Sequence, residues 1–381
     1  MLKPLSPFIL RLIKHGNRYM KFAYFTHVWG KKNMSPHQRY ELLWRELELA
    51  DHLKFDYGFC VEHHFSPQES WISAPSLFTA AAAMRTKHMK VGPMGYVVPL
   101  YNSLRLAEEI AILDQMLDGR FEIGLVPGIN QRYFEPFGLD YDDRKTPTLE
   151  YIDYLRSAYG ETQPFSFEGQ HHSTKSATLS VQPVQRPHPP IWMQSRDPET
   201  LEFCAKNGLN TGYFIVYPRT DAAPRYRKFL ADWKDAGWTH KPNIAYSTLV
   251  YVDKTDKKAI NKALKHAARA YEGFLPDALP NESFEDRVKR YSRKFKERGE
   301  DGAAVIMANI FNPEYLMDND LVFIGSPETV TKKLRKYAEE GVFNTFMGEF
   351  NFSELGEKDV MKSVNLFGEE VIPALKDFEP Y

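Results

Sequence analysis

Eight short apolar runs, each followed by a segment with helical hydrophobic spacing, constrain this chain more than any other feature. The first run is Lys21 to His27 (KFAYFTH); Pro36 to Lys54 follows with Leu42, Leu43, Leu49 and Leu53 spaced along one helix face. The pattern recurs as strand Tyr57–Glu62 with helix Ala74–Arg85, strand Met89–Val98 with helix Leu104–Leu117, and strand Phe121–Val126 with helix Thr148–Tyr159. After a Gly, His, Gln and Pro-rich break over 160–190 come strand Ile191–Ser195 and helix Glu199–Asn207, strand Tyr213–Val216 and helix Ala223–Ala236, and strand Ile244–Val252 and helix Asp256–Glu272. Strand Phe343–Phe350 and helix Asp359–Leu375 complete the set. Parallel strands need crossover helices, and eight such units close around a filled core, so the expected fold is α/β, a (β/α)8 TIM barrel.

One domain over 20–381 accounts for the alternation, with 1–19 as an N-terminal extension. That extension carries Lys3, Arg11, Lys14 and Arg18 and no acid, but its apolar stretch at 8–13 is short for a signal core and no small-residue cleavage site follows. It is read as an upstream start or dispensable tail, with targeting or membrane-surface contact as the other reading. The polar segment 275–319 contains EDRVKRYSRKFKERGED and is expected to be a lid inserted before the last strand rather than a plain solvated excursion. Ser326–Gly341 begins Ser-Pro-Glu and ends in Gly, the signals of a further helix.

Lys and Arg total 49 against 50 Asp and Glu, a formal net charge of −1, and no basic stripe is present, so a nucleic-acid partner is not expected. Two lone cysteines, Cys60 and Cys204, read as buried thiols of a reducing compartment, and no run of about 18 apolar residues suggests a membrane span, so the expected location is cytoplasmic.

In barrels of this kind the chemistry sits where strands end. The second strand ends in Glu62-His63-His64-Phe65, the densest titratable cluster. Adjacent strand residues point to opposite faces and no third ligand is spaced nearby, so no metal is expected there. A mouth-facing imidazole can move a proton, or it can be structural; the residues alone leave both open. Gly92, Pro93 and Gly95 are unusual in a central strand and mean either a packing bulge or a backbone kept bare for a flat ligand. Gln194-Ser195-Arg196-Asp197, with Thr200 opening the next helix, reads as a phosphate pocket or as an ordinary helix cap.

VEHHF at the second strand, the stretch Val91–Gly128 with its LDQM-x-x-GR signature, and FIGSPETV and GVFNTFMGEF near the chain end resemble the bacterial luciferase-like flavin-dependent monooxygenases, from Met20 to about Leu375. The resemblance implies a barrel that binds reduced FMN, usually supplied by a separate flavin reductase, and uses dioxygen to oxygenate a small organic substrate. It places the catalytic histidine on His63, with Glu62 and His64 beside the cofactor, and the backbone under the flavin ring on Met94 and Gly95, which favours the bare-backbone reading. The phosphate end falls on Gln194 and Ser195, with Arg196 and Thr200 as additions. The chain departs from luciferase where Val126 and Pro127 replace a cysteine and a phosphate-gripping arginine, and where Gln194 replaces a glutamate. Arg196 is the natural replacement for the lost cation. Tyr24, Phe25, Phe65, Tyr96, Tyr133 and Phe214 are expected to line an apolar substrate pocket. The resemblance also implies a homodimer through the second and third helices. Two rivals remain: a deazaflavin-dependent hydride-transfer enzyme on the same framework, and a non-catalytic flavin-binding subunit.

Overall fold

The computed structural model describes residues 20–214, 217–274 and 281–381. The expectations for 1–19, for the end of the Tyr213–Val216 strand and for the opening of the 275–319 segment at 275–280 lie outside the described residues. Elsewhere strand and helix alternate as β1 (Lys21–Thr26), α1 (Pro36–His52), β2 (Tyr57–Cys60), α2 (Pro75–Arg85), β3 (Lys90–Pro93), β4 (Tyr96–Val97), α3 (Ser103–Met116), β5 (Ile123–Val126) and α4 (Lys145–Ala158). A hairpin follows, β6 (Phe165–Glu168) and β7 (Ser173–Ala177), and then β8 (Ile191–Trp192), α5 (Pro198–Asn207), β9 (Thr211–Phe214), α6 (Arg219–Asp235), β10 (Ile244–Val252) and α7 (Asp256–Phe274). Three helices, α8 (Phe284–Glu297), α9 (Asp301–Asn309) and α10 (Pro313–Asp318), make up the described part of the excursion. Then come β11 (Phe323–Gly325), α11 (Pro327–Gly341), β12 (Thr345–Glu349) and α12 (Glu357–Leu366), which runs on through a π-helical turn (Phe367–Val371) into a last short helix, α13 (Ile372–Leu375).

Helix starts follow local chemistry. Ser35 and Gln38 form a reciprocal capping box before α1, with Pro36 at the first helical position. Asp197 and Ser326 accept the Thr200 and Thr329 N–H groups to cap α5 and α11, each followed by proline. Gly208, at φ 70°, ends α5 in the left-handed conformation that glycine adopts without penalty.

The strands form a curled parallel sheet. β1 lies between β2 and β12, β2 continues to β3, and β12 continues to β10, which pairs with β9 and, at its far end, with β11. β4, β5 and β8 pair as a second parallel set. Isolated parallel bridges at Val91–Phe121 and Trp192–Asn210 link β3 to the approach of β5 and β8 to the approach of β9. Along β1, Phe22 meets Phe367 and Tyr24 bonds to α1, so these side chains face the helices, whereas Phe25 faces the other way against His27. On that inner face Tyr57, Phe59 and Trp192 pack ring on ring at 4.9–5.9 Å, a solid floor beneath the strand ends.

The expected third strand is interrupted between Pro93 and Tyr96, where the Met94–Gly95 peptide bond is cis. A Cβ on Gly92 would lie 1.8 Å from the Glu122 carbonyl oxygen, and one on Gly95 would lie 2.1 Å from the Gly124 carbonyl carbon. Close approach of two strand backbones therefore explains both glycines without a ligand. Strand β11 and the β6–β7 hairpin were not foreseen; β11 is three residues long, and the hairpin strands are four and five residues long and largely exposed. Among the described residues no helix is long and apolar enough to cross a membrane.

Candidate active site

The C-terminal ends of the strands gather a set of buried polar side chains around His63. Its Nδ1 lies 2.8 Å from Glu69 Oε1, a charge contact outside hydrogen-bonding direction, and its ring meets that of His27 edge to face at 5.1 Å. Burial alone would push the Glu69 carboxyl up, but the neighbouring His63 and then His27 outweigh it and hold Glu69 down to about 2. Arg132 reaches the other Glu69 oxygen at 3.7 Å. His27, just past β1, bonds through Nδ1 to Glu349 Oε2 at 2.5 Å, and its backbone N–H donates to Glu349 Oε1 at 3.0 Å. Burial opposes charge on His27, yet the Glu349 carboxylate prevails and raises its pKa. Trp29 Nε1 also donates to Glu349 Oε1, at 3.0 Å. Two imidazoles, each backed by a carboxylate, thus meet at the ends of β1, β2 and β12.

The other members of the EHHF cluster turn elsewhere. Glu62 Oε1 pairs with His64 Nε2 at 2.9 Å, and Glu62 Oε2 accepts the Val97 N–H at 2.9 Å, tying the β2 end to β4. Burial raises the Glu62 carboxyl, partly offset by these two contacts. The pair thus works as a clamp between strands. Tyr133 lies against both His63 and His64, at 5.8 and 5.7 Å. Beside His63 opens a cavity of 320 Å³, with Tyr40, Phe65, Ser66 and Trp71 in its wall.

The expected phosphate corner sits across the mouth. Ser195 Oγ accepts the Asp197 N–H at 3.1 Å, and Asp197 Oδ2 accepts both the Thr200 N–H, at 3.1 Å, and the Thr200 hydroxyl, at 2.7 Å. These are cap interactions, so the cap reading of this turn is realised, and Ser195 and Thr200 enter it already bonded. Lys145 Nζ joins Asp197 at 2.8 Å and Glu199 at 3.1 Å. Gln194 is different: its amide nitrogen rests on Met347 Sδ at 3.5 Å, while its buried Oε1 has no hydrogen-bond partner. Arg196 makes a forked contact with Glu300, Nε to Oε1 at 3.0 Å and Nη2 to Oε2 at 3.1 Å, and Phe295 and Tyr217 flank the guanidinium. The charged excursion thus carries an anion to the cation expected to hold phosphate.

Of the six residues expected to line a pocket, Tyr24 and Tyr96 do not. Tyr24 donates from its hydroxyl to Glu46 of α1 at 2.7 Å, and Tyr96 shares a 3.0 Å hydrogen bond with Ser76 of α2, so strand alternation turns both into the helix layer. Phe25 abuts His27, Tyr133 covers the histidines, and Phe65 and Phe214, 56% and 39% exposed, stand at the rim. Met94 is buried between the strands. His27, Glu69 and Glu349 were missed. His27 and Glu349 stand at the ends of the first and last strands, where the strand-end rule points; Glu69 lies in a loop with no such signal.

The family model described as luciferase-like monooxygenase matches residues 20–343. The chain belongs to that family. An alkanal monooxygenase alpha chain from Photobacterium leiognathi is 24% identical over 339 residues, 86% of this chain and 91% of its own. The oxygenase component of a flavin-dependent trigonelline monooxygenase from Acinetobacter baylyi is 29% identical over 199 residues, half of this chain and 53% of its own length. An uncharacterized protein of Sinorhizobium fredii is 33% identical over 191 residues, so here too the match spans about half (55%) of the relative. Among solved structures, the oxygenating constituent of the Pseudomonas putida 3,6-diketocamphane monooxygenase, in complex with FMN, superposes with a TM-score of 0.76 at 21% identity, covering 93% of this chain and 98% of its own. An F420-dependent secondary alcohol dehydrogenase reaches 0.68 at 19% identity, covering 94% and 99%. Both likenesses concern the fold.

Proposed function

We propose that this family member is the oxygenase component of a two-component FMN-dependent monooxygenase, taking reduced FMN from a separate reductase and oxygenating a small, apolar organic substrate with dioxygen. The observation that carries the reading is His63, held at the second strand end against an ionised Glu69 in a chain of the luciferase-like family. We take the curled sheet as a closed (β/α)8 barrel, since the Val91–Phe121 and Trp192–Asn210 bridges run between its parallel sets, and the 281–319 helices as the described part of its lid.

The residues fit a flavin in part. The buried, unpartnered Gln194 Oε1 suits the N–H edge of a flat polar ring, and Arg196 and Lys145 supply positive charge near the N-terminus of α5 for a phosphate. When bound, reduced FMN supplies the reducing equivalents for oxygen activation. His63 would hold or pass a proton beside it, Glu69 would orient that imidazole, Met94 and Gly95 would present backbone to the ring, and Phe65, Tyr133 and Phe214 would keep the substrate side apolar. Glu62 and His64 would act behind them by holding β4 in place. Leu77, Met84, Ile112 and Met116 expose apolar side chains on α2 and α3, which supports a homodimer through those helices. The test is turnover of reduced FMN against a panel of ketones, aldehydes and terpenoids: His63→Ala should lose coupled product formation, and unchanged coupling would refute the role.

The F420-dependent structural neighbour keeps a second reading in play, hydride transfer with a deazaflavin. Tight deazaflavin binding without oxygen consumption would select it.

A further inference from the structure

Sequence adjacency argues against a metal shared by His63 and His64, and the fold agrees: His64 turns to Glu62. The fold nevertheless brings three other donors together. His27, His63 and Glu69 each offer a ligand atom, and these atoms all lie within 4.8 Å of one another. They come from three separate places, the end of β1, the end of β2 and the loop after it, so no spacing motif announces them. We propose that this cluster is a site for a divalent cation of the zinc class, with two imidazoles and one carboxylate as ligands.

Four observations support it. The donor set, two nitrogens and one oxygen, is one that zinc accepts, and three protein ligands leave a position for water or another small molecule. Tetrahedral ligands about 2.0–2.1 Å from zinc stand roughly 3.4 Å apart, between the 2.8 Å that separates His63 Nδ1 from Glu69 Oε1 and the 4.8 Å within which the donor atoms all lie, so small side-chain adjustments would seat the ion. Behind it, Glu349 bonds His27 Nδ1 at 2.5 Å, the carboxylate–histidine arrangement that fixes ring orientation and raises ligand basicity in metal sites. His63 borders the 320 Å³ cavity, which gives a cation a way in. Arg132, 3.7 Å from Glu69, opposes a cation, and it bears on the Glu69 oxygen that does not face His63.

Binding would replace any protons on the two imidazoles by the metal. A seated cation would also occupy His63, so zinc would inhibit any chemistry that needs its proton. The site itself requires no flavin, and its test stands apart from the oxygenase reading.

The full-length, metal-free protein should be titrated with Co²⁺ and followed by visible absorption, and with Zn²⁺ by calorimetry. The expected result is one tight site with the intense d–d bands of a four-coordinate ion. His27→Ala and Glu69→Gln should each weaken binding at least tenfold, and Glu349→Gln, which releases the His27 ring, about 10- to 100-fold, whereas His64→Ala should leave it intact. Far-UV melting curves identify any variant that fails to fold; the wild-type cobalt spectrum then decides. No binding, weak six-coordinate bands only, or affinity unmoved in folded His27→Ala and Glu69→Gln would overturn the proposal.

Discussion

If Arg196 holds the phosphate of FMN, Glu300 competes for the same guanidinium, and removing that competitor should tighten FMN binding. The forked contact has two hydrogen bonds, at 3.0 and 3.1 Å, with the arginine side chain 29% exposed and the glutamate 10%. An exposed pair is worth a few tenths to 1 kcal/mol; forked geometry and partial burial place this one at about 1–2 kcal/mol. An incoming phosphate must first break it, so Glu300→Gln, which keeps the shape and removes the charge, should raise FMN affinity about 5- to 30-fold. Riboflavin has the same ring and no phosphate, and its affinity should not change. Fluorescence titration of both ligands against wild type and variant measures the difference. Unchanged or weaker FMN binding in Glu300→Gln, or an equal gain for riboflavin, would refute the idea that Arg196 receives the phosphate.

Other perturbations follow from the packing. Gly95→Ala forces a Cβ into the Gly124 backbone, where no flexible side chain can yield, and should destabilise the fold by several kcal/mol or abolish soluble expression, read by thermal melting. Asp51 accepts backbone N–H groups of Lys87, His88 and Met89 at 3.0, 2.8 and 2.8 Å; burial would raise its carboxyl, but these bonds together lower it. Its stabilising contribution is then fully present above about pH 4 and lost as pH falls through the lowered folded value, so Asp51→Asn should melt earlier at pH 7 and converge with wild type in acid. Met84→Glu with Ile112→Glu should shift a homodimer to monomer in sedimentation velocity, and a mass unchanged from wild type would remove α2 and α3 as the interface.

Element types were legible because hydrophobic period and capping chemistry are local. Ile244–Val252 was bounded correctly, and Ser326, Asp197 and Gly208 mark helix ends by side-chain and φ requirements that need no partner. The histidine at a strand end was equally legible. What surrounds it was not, because His63 meets Glu69 through a loop and His27 meets Glu349 across the seam between the first and last strands, 322 positions apart. The two tyrosines assigned to the pocket fail on parity: choosing the right strand without its register sends Tyr24 and Tyr96 to the opposite face. The bare third strand was legible as an anomaly, but not the close approach of the Glu122–Gly124 backbone that Gly92 and Gly95 answer to, a demand set by tertiary structure.

The oxygenase reading is tested most directly with isotopically labelled dioxygen. Chemically reduced FMN and, separately, a reduced deazaflavin are supplied to the protein with ¹⁸O₂ and the substrate panel, and products are analysed by mass spectrometry. The expected result is incorporation of one ¹⁸O atom into an organic product, with reduced FMN and not with the deazaflavin, and dependent on His63. Reduction of a substrate by the deazaflavin, with no oxygen consumed and no label incorporated under either cofactor, would contradict it.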